Sequence, residues 1–136
     1  MSPRLALLGA LALAATPALR AATVAAPKKL LVVTVTKGYR HESIPVAEKV
    51  LQALAAESGR FQVDYARTDE DLAVKMSLKG LAAYAGVVFA STTGDLPLPD
   101  RQGLADWIGK GHAFIGIHAA SDTFHGYAPY VEMLGG

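Results

Sequence analysis

The sequence predicts an α/β domain built on an open parallel sheet with helices on both faces. Three observations predict it. Short apolar, β-branched runs recur along the chain, stretches of helical periodicity separate them, and turn residues stand at the changeovers. A length of 136 residues suits one such domain.

The first element is Lys29 to Thr36 (KLLVVTVT), a continuous apolar run of the kind that suits a strand buried on both faces. Ser43 to Ser58 follows as a helix. Ala47, Val50, Leu51 and Leu54 fall on one helical face, Ser43 is its expected cap, Pro45 is tolerated in the first turn and Gly59 closes the end. Phe61 to Ala66 alternates as a second strand. Asp69 to Ser77 is a shorter helix with Asp69 as its candidate cap. Tyr84 to Ala90 is the third strand, and Pro99 to Lys110 a helix with Leu104, Trp107 and Ile108 inward and Gly111 as the stop. His112 to Ile117 is the fourth strand, and Tyr127 to Leu134 one or two helical turns. Alternation of this kind with right-handed crossovers points to a flavodoxin-like strand order, 2-1-3-4. Gly135-Gly136 marks a turn, so the domain is expected to be truncated at its carboxyl end, with an open outer edge on the fourth strand.

Residues 1–25 read as an export signal preceding a domain over 26–136. Met1 to Arg4 is basic, Leu5 to Leu19 is an apolar run of 15 residues, and small residues follow. That run falls short of the roughly 20 residues that span a bilayer. The expected cut falls at Ala26 after Thr23-Val24-Ala25, with Leu19-Arg20-Ala21 a poorer site. The mature chain is expected in the periplasm or outside the cell, with no membrane attachment once the signal is removed.

The formal charge of +1 includes Arg4 and Arg20; without them 11 basic residues face 12 acidic ones, a net of −1. This balance offers no electrostatic footprint for nucleic acid. Hydrophobic residues make up 51% and charged residues 18%, which excludes a disordered, charge-rich chain. The absence of Cys excludes disulfides, a thiol nucleophile and thiolate metal sites.

Open parallel sheets bind ligands beyond the carboxyl ends of their strands. Three polar clusters fall there: Lys37 to Ser43 after the first strand, Ser91 to Asp95 after the third, and His118 to His125 after the fourth. The opposite-end loops, around Gly59-Arg60, Lys79-Gly80 and Lys110-Gly111, hold little beyond turn residues and lysines. Plainer readings accompany each cluster. Ser91, Thr92, Thr93 and Asp95 suit a turn and cap, Arg40 and Glu42 suit a surface pair, and His41 suits a solvated loop. His112 begins a strand at the other end and reads as structural. His118 stands apart, because it ends an apolar strand and precedes Ala-Ala at a tight strand-to-helix corner. It is expected to be mostly buried, facing Arg40, His41 or Asp95, with Asp122 and His125 near enough in sequence to bond or ligate with it.

The first strand lacks the G-x-G-x-x-G dinucleotide fingerprint, and no phosphate loop is present. Gly116-Ile117-His118-Ala119-Ala120 has the form of a nucleophile elbow with His in the nucleophile position.

Lys37 to Ile44, Ser91 to Leu96 and Gly116 to Thr123 resemble the ThuA-like family, named for trehalose utilisation, which has the class I glutamine amidotransferase-like fold. The resemblance runs from Lys29 to Gly136 and covers about the first half of such a domain. It implies a role with disaccharides or keto-sugars. His in place of the amidotransferase Cys rules out glutamine hydrolysis by a thiolate. In this reading His118 is the catalytic acid or base and Asp122 orients it, while Arg40, His41, Ser43, Thr92, Thr93 and Asp95 bind substrate. The partner is a small-molecule carbohydrate. Metal, cofactor and oligomeric state are left open. The alternatives are a non-catalytic carbohydrate-binding or interaction module of a larger secreted protein, and a hydrolase with a metal at His118.

Overall fold

Four strands, β1 (Lys28–Val33), β2 (Phe61–Ala66), β3 (Gly86–Ala90) and β4 (Ala113–Ile117), pair in the order β2-β1-β3-β4, each pair parallel. This is the order expected from the alternating pattern. The structure is a computed structural model and describes residues 25–135. The export signal expected over residues 1–25 therefore lies outside the described residues, Ala25 excepted.

The central strands carry the core. Leu31, Val32 and Val33 of β1 and all five residues of β3 are buried, as a continuous apolar run requires when both sheet faces are covered. On one face Leu31, Val33, Val87 and Phe89 pack with Leu72, Met76, Leu81, Leu104, Trp107 and Tyr130. Met76 is the C-cap of helix α2 (Asp69–Lys75), and the others come from α2, α3 (Leu78–Leu81), α4 (Arg101–Gly109) and α5 (Ala128–Leu134). On the other face Val32, Val88 and Ala90 meet Ala47 and Leu51 of α1 (Ile44–Ser58). Each fully buried Val, Leu or Phe side chain contributes about 1.5–3 kcal/mol of transfer free energy. Gly86 has no Cβ for a steric reason, since one there would stand 2.7 Å from Ala113 Cβ across the β3–β4 pair.

Several local expectations are corrected. β1 ends at Val33, although the chain still follows the sheet: Thr34 N–H donates to Ala66 O at 3.0 Å and Thr36 bridges Thr93. The helix expected over 69–77 ends at Lys75, and a separate short helix follows at Leu78–Leu81, where Ser77 Oγ accepts from Gly80 N–H as its cap. Thr68, rather than Asp69, caps α2 through the Asp71 N–H. Ser43 precedes α1 without a side-chain capping bond. Val50 and Leu54 are 49% and 48% exposed. Ala47, Leu51 and Ala55, at i, i+4 and i+8, take the sheet-facing line instead, and among the described residues no second helix flanks α1 on that face. Gly59 closes α1 in a left-handed conformation, as expected.

Candidate functional site

The loops that follow β1, β3 and β4 are tied into one body at the carboxyl edge of the sheet. Lys37 N–H donates to Thr93 O at 2.8 Å, and Gly38 N–H donates to Thr93 Oγ1 at 3.2 Å, while Thr93 Oγ1 itself donates to Tyr39 O at 3.0 Å. Gly94 N–H donates to Asp122 O at 2.8 Å, and Gly94 bridges Thr123. The convergence of 37–43, 91–95 and 118–125 follows from the strand order, which makes β1, β3 and β4 neighbours. Between the loops lies an open cleft of about 230 Å³, lined by Gly38, Gly94, Asp95, Asp122, Phe124, His125 and Gly126. Gly94 has φ 73°, and a Cβ there would meet Lys37 Cβ at 3.1 Å, so glycine lets the loops close together here without strain.

His118 follows β4 directly and opens a 3-10 turn, His118–Asp122. Its φ of 53° is a left-handed conformation uncommon for residues other than glycine. The elbow form read in Gly116 to Ala120 thus has the backbone strain that holds an elbow residue proud of the sheet. Tyr130 fastens the turn from beneath, its hydroxyl donating to Ala120 O at 2.7 Å. Burial pushes the Tyr130 phenol up to about 12, against the opposing effect of a hydrogen bond with Thr123.

The His118 ring stands edge-on to His41, with centroids 4.5 Å apart and planes at 89°. His41 in turn meets the Tyr39 ring at 4.8 Å. The expected facing toward His41 is present, but the expected burial is not: His118 is exposed. The reason is its place at the tip of β4, which pairs only with β3 among the described residues.

The expected Asp122–His118 pairing is also corrected. Asp122 Oδ1 stands 2.9 Å from His125 Nε2, one helical turn along the chain, and has no bond to His118. Thr92 and Thr93 are fully buried. The Thr92 hydroxyl pairs with Thr123 Oγ1 at 2.8 Å, and the Thr93 hydroxyl serves Gly38 and Tyr39. Both therefore act as struts between loops, and the expectation that they contact substrate gives way to this role. Asp95 is open to solvent, 3.4 Å from Arg101 Nη1, whose guanidinium lies over the Phe124 ring. Ser43 Oγ stands 3.4 Å from Ser91 Oγ.

Arg40 is exposed, with Nη1 donating to Thr34 O at 3.0 Å. Thr34 is buried, and its hydroxyl donates to Glu48 Oε1 at 3.0 Å. Arg67 grips the same carboxylate through Nε and Nη2. That hydrogen bonding to Arg67 outweighs burial and, with Thr34 and the Arg40 charge, holds the Glu48 carboxyl below its usual range. At the opposite end of the sheet His112 packs on Trp107: its Nδ1 donates to Trp107 O at 2.8 Å and its ring stacks on the indole at 3.9 Å.

Sequence reasoning missed Glu48, which looks like any polar residue of an amphipathic helix, and did not assign Ser91 or Tyr39. Among the described residues no group of three or more His, Asp or Glu side chains is placed to hold a metal ion.

The sequence model of the ThuA family, described as trehalose utilisation, matches residues 29–136. No curated protein and no solved structure matches the chain. The family match spans both central strands and all three loops of the site, and the parallel sheet in the order β2-β1-β3-β4 fits the flavodoxin-like architecture. The chain belongs to the ThuA family, trehalose utilisation.

Proposed function

We propose that this protein is an exported member of the family that acts on a disaccharide or keto-sugar, with His118 as its proton-transferring group. The observation that carries the reading is the pairing of His118 with His41 at a strained strand tip. The cleft between the same three loops is lined by the Asp95 and Asp122 carboxylates and the His125 imidazole, and His118 is not part of its lining. Mixed donors and acceptors suit a polyhydroxyl ligand, and imidazole is the side chain whose charge changes near neutral pH.

A keto-sugar carries an acidic C–H beside its carbonyl. His118 takes that proton, the C–H electron pair becomes the C=C bond of an enolate while the carbonyl π pair moves onto the oxygen, and the Arg40 guanidinium faces the developing charge. Return of the proton to carbon regenerates the imidazole. Asp95 accepts from ring hydroxyls. The basic start and apolar run of residues 1–25 support export to the periplasm or beyond.

A second reading is a non-catalytic carbohydrate-binding module. It is favoured by Asp122, which bonds His125, so that among the described residues no carboxylate bonds His118 to orient it. Incubation of the full chain with a keto-disaccharide in D₂O separates the two. Deuterium uptake beside the carbonyl supports the enzyme, heat of binding without uptake supports the module, and neither signal removes the sugar reading.

A further inference from the structure

Ala90 of β3 pairs with Ile117 of β4, so the residues that follow them stand side by side. Those residues are Ser91 and His118, both left-handed, with φ of 54° and 53°. Ser adopts that conformation less readily than Gly or Asn. The turn that enters α1 lies across both tips. Its His41 ring meets His118, and two residues on, its Ser43 hydroxyl meets the Ser91 hydroxyl. The turn is closed by Ile44 N–H donating to His41 O at 3.2 Å, which ties His41 to the start of the helix.

Ser91 is the buried corner of this four-residue frame, 1% exposed, with its N–H donating to Ile117 O at 3.0 Å. The Ser43 hydroxyl makes no capping bond to its own helix, which leaves it free to meet Ser91. A serine used only as a turn residue has no need of a strained backbone in a buried position, where glycine would relieve the strain.

We propose that Ser91 is a positioning residue. Its hydroxyl holds Ser43, and so fixes the 41–43 turn that sets the His41 ring against His118. The importance of this placement rests on the reading of His118 as the reacting group, but the placement itself is measurable without any sugar.

The test is ring-proton NMR of the 4 histidines in the full chain, for the unaltered protein and for Ser91→Ala, Ser91→Gly and Ser91→Asn. His112, stacked on Trp107 at the far end, reports on the fold. In the Ala and Gly variants the His41 and His118 resonances should move toward free-imidazole values while His112 stays in place. Asn tolerates the left-handed conformation and keeps a hydrogen-bonding group, so it should hold both near their original positions. Unmoved His41 and His118 resonances in Ala and Gly overturn the proposal. A shift in Ala that is absent in Gly also overturns it, since backbone strain and not the hydroxyl is then responsible. Movement of His112 alongside them in every variant overturns it as an effect on the fold at large. Failure of the sugar chemistry with these shifts present would count against the proposed function and leave the placement standing.

Discussion

His41 and His118 come from loops 77 positions apart in the chain and meet edge to face, 4.5 Å between ring centroids. The contact is made possible by strand order, since β1 and β4 both flank β3. His41→Ala should leave the fold intact, because the His41 ring lies outside both apolar clusters. It should slow any proton transfer at His118 by up to about 100-fold, the scale of a misplaced reacting group. Rates of deuterium uptake by a keto-disaccharide, with thermal melting alongside, check both halves.

Asp64 on β2 gathers a network that ties the sheet to α2. Tyr84 Oη donates to it at 2.8 Å, Lys75 Nζ stands at 3.1 Å and Lys29 Nζ at 3.3 Å. Burial acts to raise the carboxyl, but the hydrogen bonds from Tyr84, Lys75 and the Tyr65 N–H, with the Lys75 charge, outweigh it and hold Asp64 well below the usual range. A depressed folded-state value means the stabilisation is present above the unfolded carboxylate range near pH 4 and is lost as pH falls through the folded value. Asp64→Asn should cost about 1–3 kcal/mol at pH 7. Urea unfolding of both proteins should show that gap narrowing only as the pH falls below about 4.

Thr92 and Thr123 are both fully buried and bond each other. Thr92→Val leaves one buried hydroxyl without its partner and should cost about 1–3 kcal/mol. Joining it to Thr123→Val removes both polar groups, so the double variant should be less destabilised than the sum of the singles. Denaturant unfolding of the four proteins measures the coupling. Additive losses would mean that the two hydroxyls do not depend on each other.

Export makes a direct prediction about the chain terminus. Amino-terminal sequencing of protein recovered from the compartment outside the cytoplasm should begin at Ala26. An intact Met1 on protein recovered from the cytoplasm would remove the signal reading.

The architecture was legible because parallel strands buried on both faces leave an unmistakable mark. KLLVVTVT and YAGVVFA read as central strands, and so they are: the first begins one residue earlier and ends three sooner, at Lys28–Val33, and the second begins two residues later, at Gly86–Ala90. At the end of β1, Thr34 to Thr36 keep contact with the sheet through single bonds in place of a continuous ladder. The convergence of the three loops was legible from the strand order, and their polar content as an asymmetry between the two sheet ends.

The internal pairing of the site was not legible. Sequence distance makes Asp122 a neighbour of His118 and His125 alike, and only the 3-10 turn decides for His125. Thr92 and Thr93 have the composition of ligand-binding residues, yet the three loops need internal bonds to stay together and use these hydroxyls for that purpose. Glu48 gave no signal, since its role depends on Arg67 and Thr34 arriving from two different strand ends.

The measurement that tests the account most directly is deuterium uptake beside the carbonyl of a keto-disaccharide, comparing the full chain with its His118→Ala variant. The side chain is exposed and belongs to neither apolar cluster, so the variant should melt within about 0.5 kcal/mol of the original. The account predicts that uptake falls by about 100-fold or more, as loss of a general base requires. Uptake at the original rate in a folded His118→Ala protein would contradict it.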